Sequence, residues 1–244
     1  MKNVVLFLSL ICLIGCSKKD DEEPKSLSLS TYNISMYSDE KQQITSSETS
    51  TWKSDNEFIA SVDNTGLVSG SHVGKTDIIA TSKIGSAKCT VEIVPRYNTY
   101  KDPVLDFGKA TKSDVKSKET RSLGSEESDK LTFKGEKTGI IGVVYSFDAS
   151  GKLGGVGVGL SYSYTKEIVD FLAERYLVAG EVKDGVYAFV NGTSENYNML
   201  VTLSVENNFL MVLYLPADKA TTKTIKESLI FEEIKEGINT LLNK

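Results

Sequence analysis

Between Leu27 and Ile93 the chain alternates apolar and polar positions in short runs: Leu27-Ser28-Leu29-Ser30, Ile34-Ser35-Met36-Tyr37, Phe58-Ile59-Ala60-Ser61-Val62, Asp77-Ile78-Ile79-Ala80-Thr81 and Cys89-Thr90-Val91-Glu92-Ile93. A period of two with turn residues at close spacing predicts a small all-β sandwich or barrel. Asp63-Asn64-Thr65-Gly66 suits a tight hairpin, because Asn and Gly tolerate positive φ. The pattern then stops. Segment 95–103 holds two of the four prolines and shows no apolar period, so 96–103 is read as a linker between domains 27–95 and 104–244.

In the second domain the periods mix. A brief polar helix is expected at 113–119 and a strand at Leu131-Thr132-Phe133. Residues 140–148 and 152–162 form a hairpin around Ala149-Ser150-Gly151, and a helix starts at Thr165 with Ile168, Phe171, Leu172 and Tyr176 on one side. Residues 186–190 read as a strand, 196–206 and 209–215 pair across Asn207-Asn208, and a helix from about Thr222 to Leu242 closes the chain. This order predicts an α+β domain, an antiparallel sheet with helices on one face. Within the first hairpin, Gly155, Gly157 and Gly159 alternate with Val156, Val158 and Leu160. The bare glycine face has two readings: a close-packed neighbouring element, or a smooth ligand-binding face flanked by tyrosines.

The N-terminus carries an address. Met1-Lys2-Asn3 is a short positive start, and 4–14 is almost unbroken apolar sequence ending in Leu13-Ile14-Gly15-Cys16. The apolar run is about half of the ~20 residues that a membrane span needs, so 1–15 reads as a signal to be removed. The tetrapeptide resembles the lipobox of bacterial lipoproteins. The resemblance implies that Cys16 becomes the first residue, acylated on thiol and amine, so that the membrane is a partner through its lipid anchor. Each buried methylene contributes ~0.8 kcal/mol, so several acyl chains hold durably. Residues 16–26, with Lys18-Lys19-Asp20-Asp21-Glu22-Glu23, form a charged tether. The tether resembles the acidic export signal of surface lipoproteins in Bacteroidota-type outer membranes, which implies a surface-exposed, outer-membrane location.

Composition removes several functions. The net charge is −5 and no basic run exists, so there is no electrostatic footprint for nucleic acid. Cys12 leaves with the signal and Cys16 is acylated, leaving Cys89 as a small buried hydrophobe without a disulfide partner. His72 is the only histidine, so a His-dependent triad has no second candidate and a multi-histidine zinc site is excluded. It is expected on a solvated turn. Gly70-Ser71-His72-Val73-Gly74-Lys75-Thr76 is one residue short of a phosphate-binding loop. Asp148-Ala149-Ser150-Gly151-Lys152 puts a lysine where a calcium loop needs oxygen, so a hairpin turn is expected. Glu232, Glu233 and Glu236 read as the solvated face of the last helix. No catalytic residue, metal or cofactor is expected.

Trp52-Lys53-Ser54-Asp55, Ile59-Ala60-Ser61-Val62-Asp63, Gly66-Leu67-Val68-Ser69-Gly70 and Gly74-Lys75-Thr76-Asp77-Ile78-Ile79-Ala80 resemble, in order, the bacterial immunoglobulin-like domains of the second group. The resemblance implies an Ig-like sandwich with Trp52 anchoring its core, of a kind found in surface adhesins and as spacers in exported enzymes. Asp148–Leu153 with Glu174-Arg175-Tyr176 resembles small domains of uncharacterised exported lipoproteins, which names no activity. The expected function is that of a non-enzymatic surface lipoprotein in adhesion or in binding a glycan or a host or bacterial surface protein. Tyr162 and Tyr164 are the candidate ligand-binding residues, with Tyr97 and Tyr100 beside them, because tyrosine offers a rigid face and a hydroxyl. The alternatives are an accessory protein or carboxylate-based enzyme of polysaccharide use, and a purely structural envelope spacer.

Overall fold

The computed structural model describes residues 26–183, 185–193, 195–217 and 229–242. The signal, Cys16 and nearly all of the tether lie outside the described residues, as does the 222–228 start expected for the last helix.

The first unit is a two-sheet sandwich. Its strands are β1 (Asn33–Met36), β2 (Lys41–Gln43), β3 (Thr51–Ser54), β4 (Ala60–Val62), β5 (Leu67–Gly70), β6 (Gly74–Ser82) and β7 (Gly85–Ile93). One sheet runs β1-β7-β6-β3 and the other β2-β5-β4, with β1 parallel to β7 and the remaining pairs antiparallel. Alternation along β6 and β7 turns Ile78, Ala80, Cys89, Val91 and Ile93 inward onto Ile44, Ala60 and Val68. Burial pushes the Cys89 thiol up, as befits an inert core sulfur. The Asp63 turn forms as expected: its Oδ1 accepts from the amides of Thr65 (2.8 Å) and Leu67 (3.0 Å). Gly66 closes that turn at φ +85°, where a Cβ would stand 2.4 Å from the Ile44 carbonyl oxygen. Trp52 is not the pivot of this core. It is half-buried on edge strand β3, packed against the rim of the cluster, while isoleucines fill the centre.

The second unit holds α1 (Lys112–Lys118), β8 (Leu123–Glu126), β9 (Lys130–Lys134), β10 (Ile140–Phe147), β11 (Leu153–Leu160), α2 (Thr165–Ala173), β12 (Leu177–Lys183), β13 (Val186–Val190), β14 (Met199–Val205), β15 (Leu210–Pro216) and α3 (Leu229–Leu242). Eight strands make one antiparallel sheet, β12-β13-β14-β15-β11-β10-β9-β8. The chain is therefore mostly β, with three short helices among the described residues.

The helices do not lie on one face. α1, α2 and the segment around Tyr100 cover the side that presents Val143, Tyr145, Val156, Val158, Val212 and Tyr214. α3 covers the other side, placing Ile234 and Ile238 against Val144, Met211 and Leu213. The cause is visible in β15, whose residues Leu210–Leu215 are apolar at every position and buried on both faces. A strand of that kind needs cover on both sides.

The glycines of β11 serve α3. A Cβ on Gly157 would stand 2.0 Å from Ile234 Cγ2, and one on Gly159 2.5 Å from Ile238 Cγ2. The bare face is a seat for a helix, so it is not a ligand surface. The polar residues of α3 flank this seat and are engaged: Glu233 accepts from Ser146 Oγ at 2.9 Å, and Lys235 pairs with the buried Glu206 at 2.7 Å. Glu236 stays exposed, 3.9 Å from Lys130.

Candidate functional site at the domain junction

The expected site residues do not converge. Tyr162 is 44 % exposed and donates its hydroxyl to the Glu206 carbonyl. Tyr164 donates to the Thr138 carbonyl at 3.2 Å and lays its ring against Gly139. Both hydroxyls tie the β11–α2 connection to neighbouring backbone. Tyr100 is buried, with its hydroxyl 2.5 Å from that of Tyr214 and its ring on Phe171. Burial drives both of these phenols well above their usual range. Tyr100 is therefore core, and the segment expected to be a linker packs into the second unit, with Thr99 buried beside it.

Asp148 behaves as a turn residue. Its Oδ1 accepts from the amides of Ser150 (2.8 Å) and Lys152 (2.9 Å). Among the described residues no group of three or more His, Cys, Asp or Glu is placed to hold a metal ion. No described helix is long and apolar enough to cross a membrane.

One buried charge cluster stands out in the second unit. Arg121 donates Nη1 to Glu119 at 2.8 Å, Nε to Glu136 at 2.7 Å, and Nη2 to the Lys101 carbonyl. Tyr145 donates to Glu119 at 2.6 Å, and Glu136 accepts the Lys101 amide at 2.7 Å. Burial opposes ionisation of both carboxyls. The Tyr145 hydroxyl, backbone amides and Arg121 nevertheless hold Glu119 below its ordinary value, and Arg121 with the Lys101 amide does the same for Glu136. Every oxygen faces a donor, so this cluster ties down the 101–104 segment. It is not a poised acid–base pair.

A second cluster sits where the two units meet, at the C-terminal end of α2. The Glu174 carboxylate accepts the amides of Arg96 (2.9 Å) and Tyr97 (3.1 Å) and pairs with Arg175 Nη1 at 2.5 Å. Its carbonyl accepts the amide of Val73, from the first unit, at 2.8 Å. Arg175 lies 3.7 Å over the Phe171 ring and donates to the Phe171 and Tyr97 carbonyls. Its Nε is 3.4 Å from Asp102 without a well-directed hydrogen bond. One carboxylate thus fixes both the connecting segment and its neighbour's guanidinium, while its own carbonyl carries a bond across the junction.

Beside this clamp opens a polar cleft of about 650 Å³, whose lining includes Ser38, Ser71, His72, Tyr97, Asp170 and Glu174. His72 is not a free turn residue: it stacks on Phe58 at 3.9 Å and 7°, and its Nδ1 is 2.7 Å from the Phe58 carbonyl oxygen. A carbonyl only accepts, so Nδ1 carries the proton and Nε2 is left as the acceptor of the neutral ring. The charge of Asp170 raises the Tyr97 hydroxyl above its usual value. Phe58 lines a second polar recess of about 370 Å³, together with Asn56, Asn191 and Asn198. The sequence offered no signal for either recess beyond the tyrosine and histidine themselves, because the walls join segments far apart in the chain, such as 70–72 with 170–174 and 55–58 with 191–198.

Residues 30–93 match the family model of the bacterial Ig-like domain, group 2. Comparison with curated proteins finds no match. Among solved structures the chain is similar to the S-layer protein SbsC. For its domains 5-6 the identity is 16 %, the TM-score 0.24, and the match covers 80 % of this chain and 85 % of that one. For its domains 1-6 the values are 15 %, 0.24, 79 % and 21 %, and for rSbsC(31-844) they are 15 %, 0.25, 80 % and 21 %. The chain spans about a fifth of those two longer SbsC chains, and at such TM-scores the likeness carries no argument for either unit.

The clamp makes a testable demand on the Ig-like domain's attachment. Glu174→Gln keeps the shape but turns one acceptor into a donor facing an amide. It should lower stability by about 1–2 kcal/mol. Native-state hydrogen exchange should show faster exchange at the Arg96 or Tyr97 amide and at Val73. Unchanged protection at all three would show that Glu174 does not hold the junction.

Proposed function

We propose that this is an exported surface protein, lipidated at Cys16, in which the Ig-like domain holds the eight-stranded unit at a fixed angle and the protein acts by binding rather than by turnover. The observation that carries this reading is the Ig-like domain at 30–93, which follows an apolar run at 4–14 and a charged segment in the sequence and is bonded to the second unit through Glu174. The binding reading draws support from the Glu119–Arg121–Glu136 cluster, whose carboxylates are occupied by an arginine and backbone amides. The partner is a surface glycan or a surface protein, reached from an outer-membrane anchor.

The anchor is tested by Cys16→Ser. Wild-type protein should label with radioactive palmitate, sediment with membranes and be accessible to protease on intact cells; the variant should lose the label and the sedimentation. A variant that stays membrane-bound as tightly as wild type would refute lipidation at Cys16. Turnover of chromogenic glycoside or ester substrates that disappears on substituting a single Asp or Glu would refute the binding reading.

A further inference from the structure

We infer that the cleft between the Ig-like domain and α2 is a binding site for a neutral saccharide. The inference rests on the surface-binding function proposed above and supplies its site and ligand class. The volume of about 650 Å³ falls within the ordinary range of ligand sites, which are frequent between domains.

The groups on the walls select the ligand. Ser38 and Ser71 offer hydroxyls that donate or accept, Asp170 offers a carboxylate, Tyr97 a phenol, and His72 an imidazole whose Nε2 accepts. Sugar hydroxyls, each both donor and acceptor, match such a mixed set. The lining has no aliphatic side chain larger than that of Ala173. A peptide or protein partner needs an apolar anchor pocket for its energetic centre, and this cleft supplies none. An anionic ligand is disfavoured as well. Asp39 and Asp170 add negative charge to the lining, Glu174 is already paired with Arg175, and the one lining arginine, Arg96, is engaged by the Tyr37 ring at 4.5 Å, the Ser38 carbonyl at 3.3 Å and Glu40 at 4.0 Å. The aromatic component is fixed in place, since His72 is backed on one face by Phe58. The two walls belong to different units that Glu174 locks together, so little ordering remains to be done when a ligand enters.

The test uses a built-in reporter. His72 is the chain's only histidine, so in full-length protein labelled with carbon-13 histidine, held in detergent micelles, the imidazole gives a one-site signal. The probes are neutral hexasaccharides of glucose, mannose, xylose and N-acetylglucosamine, with sialyllactose and a random hexapeptide library as comparators. At least one neutral hexasaccharide should shift the His72 signal saturably. Asp170→Asn should weaken that binding by about tenfold or more, the loss expected for one hydrogen bond to a charged group. Tyr162→Ala, outside the cleft, should leave it unchanged. Melting curves confirm that each variant is folded. The proposal is overturned if no neutral sugar moves the signal at millimolar concentration, or if the peptides or sialyllactose bind there in preference. It is also overturned if sugar binding leaves His72 unmoved and survives Asp170→Asn; in that case the surface-binding function stands while the cleft is not its site.

Discussion

Replacing Arg121 by Met lowers the stability of the second unit by about 3–5 kcal/mol at neutral pH, the cost of leaving buried carboxylates without their cation. The side chains of Arg121 and Glu119 are 1 % and 2 % exposed, so water cannot take over the lost contacts. Glu136 is 25 % exposed and contributes the smaller share. Because native domains are held by only about 5–15 kcal/mol, the variant is expected to unfold in much less urea. The pH dependence separates this account from a simple loss of packing. In the wild type both carboxyls are held below their ordinary values, so their contribution is present above the unfolded value of about 4.3 and fades as pH falls through the lower folded values. Without Arg121, burial dominates at Glu119 and the folded protein binds the proton more readily than the unfolded chain. The deficit of the variant should therefore shrink between pH 7 and pH 5, as urea titrations at the two values will show. A deficit below about 1 kcal/mol at pH 7, or one that grows on acidification, would be inconsistent with a buried ionic tie. Adding Glu119→Gln and Glu136→Gln should recover much of the loss, because no buried charge is then left alone.

Gly157→Val should detach α3 from the sheet. The new Cβ would meet Ile234 Cγ2 at 2.0 Å and Ile234 Cβ at 3.4 Å. Isoleucine in a helix is held in essentially one χ1 rotamer, so the methyl cannot rotate away and the helix has to lift. Overpacking of this kind costs about 1–3 kcal/mol, and more where the backbone has to move. A compensation test isolates the contact. Gly157→Ala and Ile234→Ala are each expected to destabilise, the second by about 2–5 kcal/mol through its cavity. The double variant should cost less than the sum, since the new methyl occupies the vacated space. Strict additivity in urea melts would mean that α3 does not rest on Gly157.

Much of the fold was legible in the sequence because its signals are local. Alternation from Ile34 to Ile93 marks strands with one buried face, and turn residues such as Asp63, Gly66 and Asp148 carry their own hydrogen bonds. Two hairpins of the second unit, β10–β11 and β14–β15, appear where apolar runs flank Gly151 and Asn207-Asn208. Edge strands were less visible. β8 reads Leu-Gly-Ser-Glu, and β12 has an irregular register around Gly180, so neither shows a clean period.

The side on which each helix packs was not written locally. A run such as Leu210–Leu215 says that both faces are covered, but not by what. Only the tertiary structure assigns α1 and α2 to one face and α3 to the glycine face of β11. The same holds for the site. Tyr162 and Tyr164 stood out as aromatic residues beside glycines, yet their hydroxyls are engaged by nearby carbonyls, and Tyr100 is core. The cleft lies instead between His72 from one unit and Asp170 and Tyr97 from the other, with the Glu174 carboxylate holding 96–97 and its carbonyl bonded to Val73. Sequence by itself determined most of the elements and the Ig-like pattern, because these depend on spacing along the chain. The neighbours of Glu174, Arg121 and Gly157 depend on distance through space, which folding alone decided.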